Sequence, residues 1–333
     1  MPPTVLVTGG TGFLGRHLVP ALCRAGYRAR IMARSPDSHL WLKRYPNTEV
    51  VSGDVLDADS VRRAASGCDT IIHAAGLFRF WGEQAQFDAT NVGGTENVLE
   101  AATDAGRVIH ISSITVIGQP EPTRLIDETH PTAPADAYQR SKLTAERLAL
   151  RYHAERGTPV LILRPGAFYG PLGHYAFNRL FFTDPMRGII MQIDSGSYHT
   201  FPVYVGDVAR TIVSAITRGR VGEIYNVCGE PLTHKQAFDV VCTEGNIRFP
   251  RLNLPGWVGI WFARMLTALS FVTRREPFYP TSLRSYVYND WRVSSDKAKR
   301  ELAFEPVDFD EGARRTLAWY RAGQPEWITE VEC

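Results

Sequence analysis

Cysteine is scarce in this chain of 333 residues and poorly placed for bonding. Cys23, Cys68, Cys228, Cys242 and Cys333 are odd in number and lack the close pairing that metal sites and small disulfide frameworks need. The expectation is no metal centre and a reducing, cytoplasmic setting. An excess of one charge sign is missing too: 37 Lys and Arg face 35 Asp and Glu, a net charge of +2, with no long run of either sign. That balance gives no support to a nucleic-acid partner. The N-terminal MPPTVLVTGG lacks a basic n-region, an apolar stretch of useful length and a cleavage site, so it reads as a buried strand. Long hydrophobic runs are absent as well. The longest weakly charged stretch, 252–273, is interrupted by Pro255, Gly256, Gly259 and Arg264, which argues against a bilayer span. An amphipathic helix over about 257–272 is expected to pack in the core; covering a substrate pocket, or peripheral contact with a membrane surface, are the less favoured alternatives. No repeat, low-complexity tract or long linker is visible.

What is present is enough apolar material, 44% of residues, for a substantial core in one large or two moderate domains. Short runs rich in Val and Ile recur at 5–9, 29–34, 49–54, 70–76, 107–113 and 159–166, separated by helical patterns such as 12–26 and 91–105. Strands that are continuously apolar are buried on both faces, so the alternation describes an α/β doubly wound parallel sheet of the Rossmann kind. This organisation assigns 1–171 to a dinucleotide-binding domain. The more irregular 172–333 is mainly a substrate-binding region, with a segment near 200–229 returning to the main sheet.

The first strand leads into Thr8-Gly9-Gly10-Thr11-Gly12-Phe13-Leu14-Gly15 and then a helix. Gly9 suits the tight turn, Gly12 lets the backbone approach a pyrophosphate, and Gly15 lets the helix pack closely; the free amides at the helix start face the anion. An acid often ends the second strand, where it binds the ribose hydroxyls. Arg34 stands in that neighbourhood instead, which favours NADP(H), with NAD(H) as the alternative. Asp54, ending the third strand, suits the adenine end of the cofactor.

Tyr138 and Lys142 are four residues apart, so a helix would place them on one face. A nearby ammonium is expected to lower the phenol from its ordinary pKa of about 10 and make it usable as an acid or base. Ser113 closes the strand near 107–113, at the sheet edge where ligands bind, and its hydroxyl can donate to a carbonyl or alkoxide.

These motifs lie in one ordered series: TGGTGFLG at 8–15, GDVLD at 53–57, HAAG at 73–76, NVGGTENV at 91–98, ISSITVIG at 111–118, YQRSK at 138–142, RPGAFYGP at 164–171, VYVGDVA at 203–209 and SSDKAKRELAFEP at 294–306. The chain thereby resembles the extended short-chain dehydrogenase/reductase family, within the NAD-dependent epimerase/dehydratase superfamily, over nearly its whole length. The resemblance implies that Ser113, Tyr138 and Lys142 are catalytic and that Asn91 is a structural and active-site asparagine. It also implies that Val55, Ala74, Ala75, Gly76, Pro165, Gly166 and Ala167 join the cofactor site, with Tyr138 and Lys142 touching the cofactor as well. Homodimerisation through the helices carrying Asn91 and Tyr138 is common in that family.

The family holds sugar-nucleotide epimerases and dehydratases beside reductases of less polar ketones, so the fold does not select the reaction. Sugar-nucleotide members commonly carry an asparagine near Ala167, an arginine near Thr200 and an acid where Arg34 stands. This chain has none of these. The strings at 163–171 and 77–81 look like the 3β-hydroxysteroid dehydrogenase and dihydroflavonol reductase branch, in which Phe78, Phe80, Trp81 and Tyr169 would form an apolar substrate wall. A further likeness to hopanoid-associated sugar epimerases, from 254 to 306, keeps an epimerase alternative open. A cofactor-sensing binding protein is the non-enzymatic alternative, weakened by the presence of all three catalytic residue types.

Overall fold

The computed structural model describes residues 2–121, 124–274, 276–277 and 279–326. Its centre is a parallel sheet of β1 (Thr4–Thr8), β2 (Arg28–Ala33), β3 (Thr48–Ser52), β4 (Thr70–His73), β5 (Arg107–Ile111), β6 (Val160–Pro165) and β7 (Ile224–Val227), in the order β7-β6-β5-β4-β1-β2-β3. Every apolar run singled out in the sequence supplies one of these strands. Val5, Leu6, Val7, Ile71, Ile72, Ile109 and Leu161 are fully buried, because helices cover both faces.

On one face α1 (Phe13–Arg24) packs against the later helix at 205–218, bringing Leu18 and Leu22 into one cluster with Val208 and Ile212. On the other face lie α2 (Ala58–Ala65), α3 (Gly94–Ala101) and α4 (Ala137–Arg156), which bury Val61, Leu99 and Ala149 against Leu6, Ile71 and Ile162. The helix on the first face is α5 (Val205–Arg218). Asp136 starts α4 by accepting from the Gln139 amide at 2.8 Å, and Gly157 ends it in a left-handed conformation. The later part of the chain adds α6 (His234–Gly245), α7 (Gly256–Thr273) and α8 (Phe309–Arg321), and α6 and α8 build a separate aromatic core with Phe177, Phe181 and Phe182.

Two expectations are corrected here. Tyr169 belongs to that aromatic core: it is 2% exposed, stacks on Phe182 at 6.0 Å and packs beneath Gly312, so it is no part of a substrate wall. Its outward neighbour along the strand, Phe168, takes the cleft side instead. The helix expected in the core is α7, and it is apolar over most of its circumference, Arg264 apart, yet only half covered. Trp257 (74% exposed), Trp261 (64%), Met265 and Leu269 face solvent. Cys23, Cys68, Cys228 and Cys242 are free thiols, whereas Cys333 lies outside the described residues. No cluster of metal-ligating side chains occurs among the described residues, and no described helix is long and apolar enough to cross a membrane.

Candidate active site

Strand order reverses around β1, whose neighbours are β2 on one side and β4 on the other. The loops leaving β1 and β4 therefore diverge, and the crevice they leave at the carboxyl ends is the standard ligand position in such sheets. A cavity of about 1040 Å³ occupies it, running from Gly9 and Arg34 at one end, past Ser113, Tyr138 and Lys142, to Phe181 and Phe238 at the other.

At the first end the backbone is shaped for a phosphate. Gly9 has φ +73°, and a Cβ there would meet the Ala75 amide nitrogen at 2.6 Å. A Cβ on Gly15 would fall 2.3 Å from the Gly10 carbonyl carbon, so this glycine seats α1 on the turn and does not line the cavity. Gly12 caps α1 with no side-chain partner for its first amides and no acid in its first turn, leaving positive dipole free for an anion. Thr11, Phe13 and Leu14 line the same wall. The cradle fits a dinucleotide pyrophosphate. Gly53, Asp54 and Val55 line the same end of the cavity, with Asp54 Oδ1 accepting from the Leu56 amide at 3.0 Å. Arg34 lines it as well. So does Arg16, which the sequence reading missed; its guanidinium lies over the Trp41 ring at 5.4 Å.

In the middle stretch, Ala74, Ala75 and Gly76 form one wall, with Pro165, Gly166 and Ala167 opposite. Ser113 ends the segment after β5 and begins a short 3₁₀ turn; its Oγ is 2.9 Å from Thr115 Oγ1 and it lines the cavity beside Tyr138. Lys142 is buried one turn along α4 from Tyr138, and its Nζ donates to the Ile111 carbonyl at 2.6 Å. Burial lowers Lys142 to about 8, against the opposing pull of Glu146. The phenol departs from expectation. Burial pushes Tyr138 well above its ordinary range, Ser113 draws it part of the way back and Asp136 adds to the rise. Desolvation beside the rings of Phe78, at 4.7 Å, and Phe87, at 6.4 Å, dominates, while one N–H of the Lys142 ammonium is directed at the Ile111 carbonyl.

Asn91 sits in a π-turn, Asp88–Gly93, between Gln84–Phe87 and α3. Its Oδ1 accepts from the Leu77 amide at 2.7 Å, and its Nδ2 donates to the Leu77 carbonyl at 3.0 Å and to Ser141 Oγ at 2.8 Å. The side chain is 1% exposed and outside the cavity lining, so it ties the loop after β4 to α4 from behind and is not placed to touch a cofactor.

Beyond Tyr138 the cavity is aromatic. Phe78, 37% exposed, and Phe80 line it, and both pack on Tyr175, which donates to Glu276 and accepts from the Phe80 amide at 3.1 Å. Trp81 is half-buried and is not among the lining residues. Phe177, Leu180, Met191, Phe201 and Leu283 continue the wall, and Ala167 and Thr200 are present in it without any nearby lining arginine. Lys142 is the only lysine of the lining and Arg16 and Arg34, at the opposite end, its only arginines, among the described residues.

Residues 5–228 match the NAD dependent epimerase/dehydratase family, and the chain belongs to it. It is 29% identical over 316 residues to the 4-hydroxy-2-methyl-3-oxo-4-farnesyl-3,4-dihydroquinoline-1-oxide ketoreductase of Stigmatella aurantiaca, with 90% of each chain covered. Human (Homo sapiens) 3 beta-hydroxysteroid dehydrogenase type 7 is 30% identical over 356 residues, with 95% of each covered. Among solved structures, a dTDP-glucose 4,6-dehydratase from Streptomyces venezuelae with NAD and TYD bound superimposes with a TM-score of 0.79 at 26% identity, covering 97% of this chain and 98% of that one. The seven-stranded Rossmann-like fold and the resemblance to extended short-chain dehydrogenases are thus both met.

Proposed function

We propose that this protein is an NAD(P)-dependent oxidoreductase that interconverts a ketone and a secondary alcohol on a fairly apolar small molecule. The observation that carries this reading is the far half of the cavity: a mainly aromatic and aliphatic wall whose polar members include Thr200, Asp184, His174 and His234, with no lining lysine or arginine beyond Lys142, among the described residues, to hold a sugar-nucleotide diphosphate. Two relatives support it, one named for a farnesyl-bearing substrate and the other for a steroid.

A bound nicotinamide would supply or accept the hydride. In the reducing direction, Tyr138 Oη gives its proton to the carbonyl oxygen and Ser113 Oγ orients that oxygen. Lys142 provides positive charge beside the forming phenolate and binds the ribose; Pro165 to Ala167 shape the wall at the nicotinamide. Arg16 and Arg34, with no carboxylate at the end of β2, support NADP(H) over NAD(H). Arg34→Ala is expected to lower kcat/KM for NADPH by about tenfold or more and to leave NADH use within about twofold. Equal losses with both cofactors would remove Arg34 from 2′-phosphate recognition.

The reaction itself is tested by following NADPH and NADH absorbance with steroid, flavonoid, aldehyde and nucleotide-sugar candidates. The expected result is stoichiometric NADPH consumption with an apolar ketone. The likeness to the dehydratase favours a second reading, epimerisation or dehydration of a sugar; conversion of a nucleotide sugar with no net change in cofactor would establish it in place of the first.

The lowered Lys142 gives the reaction a pH limit. Its ammonium is full below about pH 8 and lost above it, so kcat/KM falls on the alkaline side of about 8. Glu146→Gln removes the charge that holds Lys142 up and moves this limb to lower pH. The stability sign is the opposite: between about 8 and the ordinary value of 10.5 the unfolded chain binds the extra proton, so this group's contribution improves as pH rises. A rate profile flat from pH 7 to 9 would detach Lys142 from turnover.

A further inference from the structure

The unexplained surface of the molecule is the outer face of α7. Trp257, Trp261, Met265 and Leu269 recur every fourth residue, which puts them on one stripe, and all are exposed, from 44% to 74%. The opposite face is engaged: Ala263 is buried, and with Phe262 and Leu266 it packs against Phe80, Met191, Tyr279 and Leu283, all of which line the substrate half of the cavity. One helix therefore separates the substrate cavity from a row of exposed apolar side chains. A helix that is apolar over most of its circumference is normally enclosed, and a row this long in water marks a contact surface.

The charge around it selects the partner. From Gly245 to Arg275 the chain contains Arg248, Arg251, Arg264, Arg274 and Arg275 and no Asp or Glu; Arg251 is paired with Asp239 at 2.6 Å and Asp194 accepts from the Gly256 amide at the start of α7, so Arg248, Arg264 and Arg274 are the exposed cations among the described residues of this stretch. Arg264 is exposed within the same arc as Trp257 and Trp261, and Arg248 and Arg274 are exposed on either side of the helix in sequence. A two-fold contact with a second copy would set this cationic stretch against itself, at a repulsive cost. Tryptophans with flanking arginines match instead the boundary between hydrocarbon and anionic headgroups. The described chain has no membrane-crossing helix, and α7, with Arg264 at its middle, suits lying in the surface plane.

We propose that α7 docks on an anionic lipid surface through Trp257, Trp261, Met265 and Leu269, with Arg248, Arg264 and Arg274 at headgroup level. This holds the apolar wall of the substrate cavity about one helix diameter, ~10 Å, from the hydrocarbon. The inference rests on the reading of an apolar substrate for its purpose, but the docking is measured without turnover, so the two fail separately. Full-length protein is sedimented with vesicles of phosphatidylcholine alone or with phosphatidylglycerol added. Binding to the anionic vesicles is expected, weakened at high salt, and lowered about tenfold or more in Trp257→Ser/Trp261→Ser. Arg264→Gln lowers it less, and both variants keep the wild-type melting temperature and the rate with a water-soluble ketone. Protein left in the supernatant with anionic vesicles at low salt overturns the proposal. Equal binding by the double variant does so too, as does a concentration-dependent dimer that the double variant abolishes.

Discussion

Tyr138→Phe is expected to cut turnover by about 10²- to 10⁴-fold, the range for losing a positioned proton donor, while cofactor affinity stays near wild type. The expectation follows from where the ring and the hydroxyl separately sit. The ring packs on Phe78 and Phe87, contacts that phenylalanine reproduces, so the fold of α4 and the loop after β4 survives. Phenylalanine lacks only the hydroxyl, the group on which Ser113 acts in this cavity-lining residue. Burial keeps that phenol protonated at neutral pH, which suits proton donation to a carbonyl oxygen. Titration of the variant with NADPH by fluorescence, beside single-turnover kinetics, separates binding from chemistry. A variant that keeps more than about a tenth of the wild-type rate would move the acid–base role elsewhere.

The difference over Tyr138 shows where one-dimensional reasoning stops. A lysine four residues away is a pattern that any helix turns into proximity, and α4 does so. Whether charge or desolvation wins depends on Phe78, sixty residues earlier, and on the Ile111 carbonyl that accepts a hydrogen bond from the lysine. The seven strands and the Gly9–Gly15 turn were readable because local patterns set them: continuous Val and Ile runs, and glycines where a Cβ would strike backbone. Arg16 was missed because it approaches the end of β2 only through the pairing of β1 with β2. Tyr175, Tyr279 and Tyr286 close the substrate half from segments with no periodic signal, and aromatic content alone could not sort them from Tyr169, which a neighbouring helix buries. Asn91 was found by motif, yet its three hydrogen bonds assign it to holding the loop and α4 together.

The largest stability effect is expected one turn beyond Lys142. Glu146 on α4 takes a two-pronged contact from Arg164 on β6, Nε to Oε2 at 2.9 Å and Nη2 to Oε1 at 2.5 Å, with both side chains 4% exposed or less. Pro165, next along β6, lines the cavity, so the pair fixes the helix of Tyr138 and Lys142 to a strand that reaches the cavity wall. Arg164→Ala leaves a carboxylate uncompensated in the interior, and Glu146→Ala leaves a guanidinium whose Nη1 already lacks a partner. Each is expected to cost about 3–5 kcal/mol in urea unfolding. Glu146→Gln with Arg164→Met removes both charges at similar volume and should recover most of that loss, since the pair itself must offset a large desolvation cost. Measured beside the single variants Glu146→Gln and Arg164→Met, the double variant closes a cycle that gives the coupling. Recovery of stability without recovery of rate would show that the pair's contribution to turnover runs through the charge of Glu146 on Lys142; single variants that lose less than about 1 kcal/mol would mean that water reaches the pair and that α4 is held by its apolar face alone.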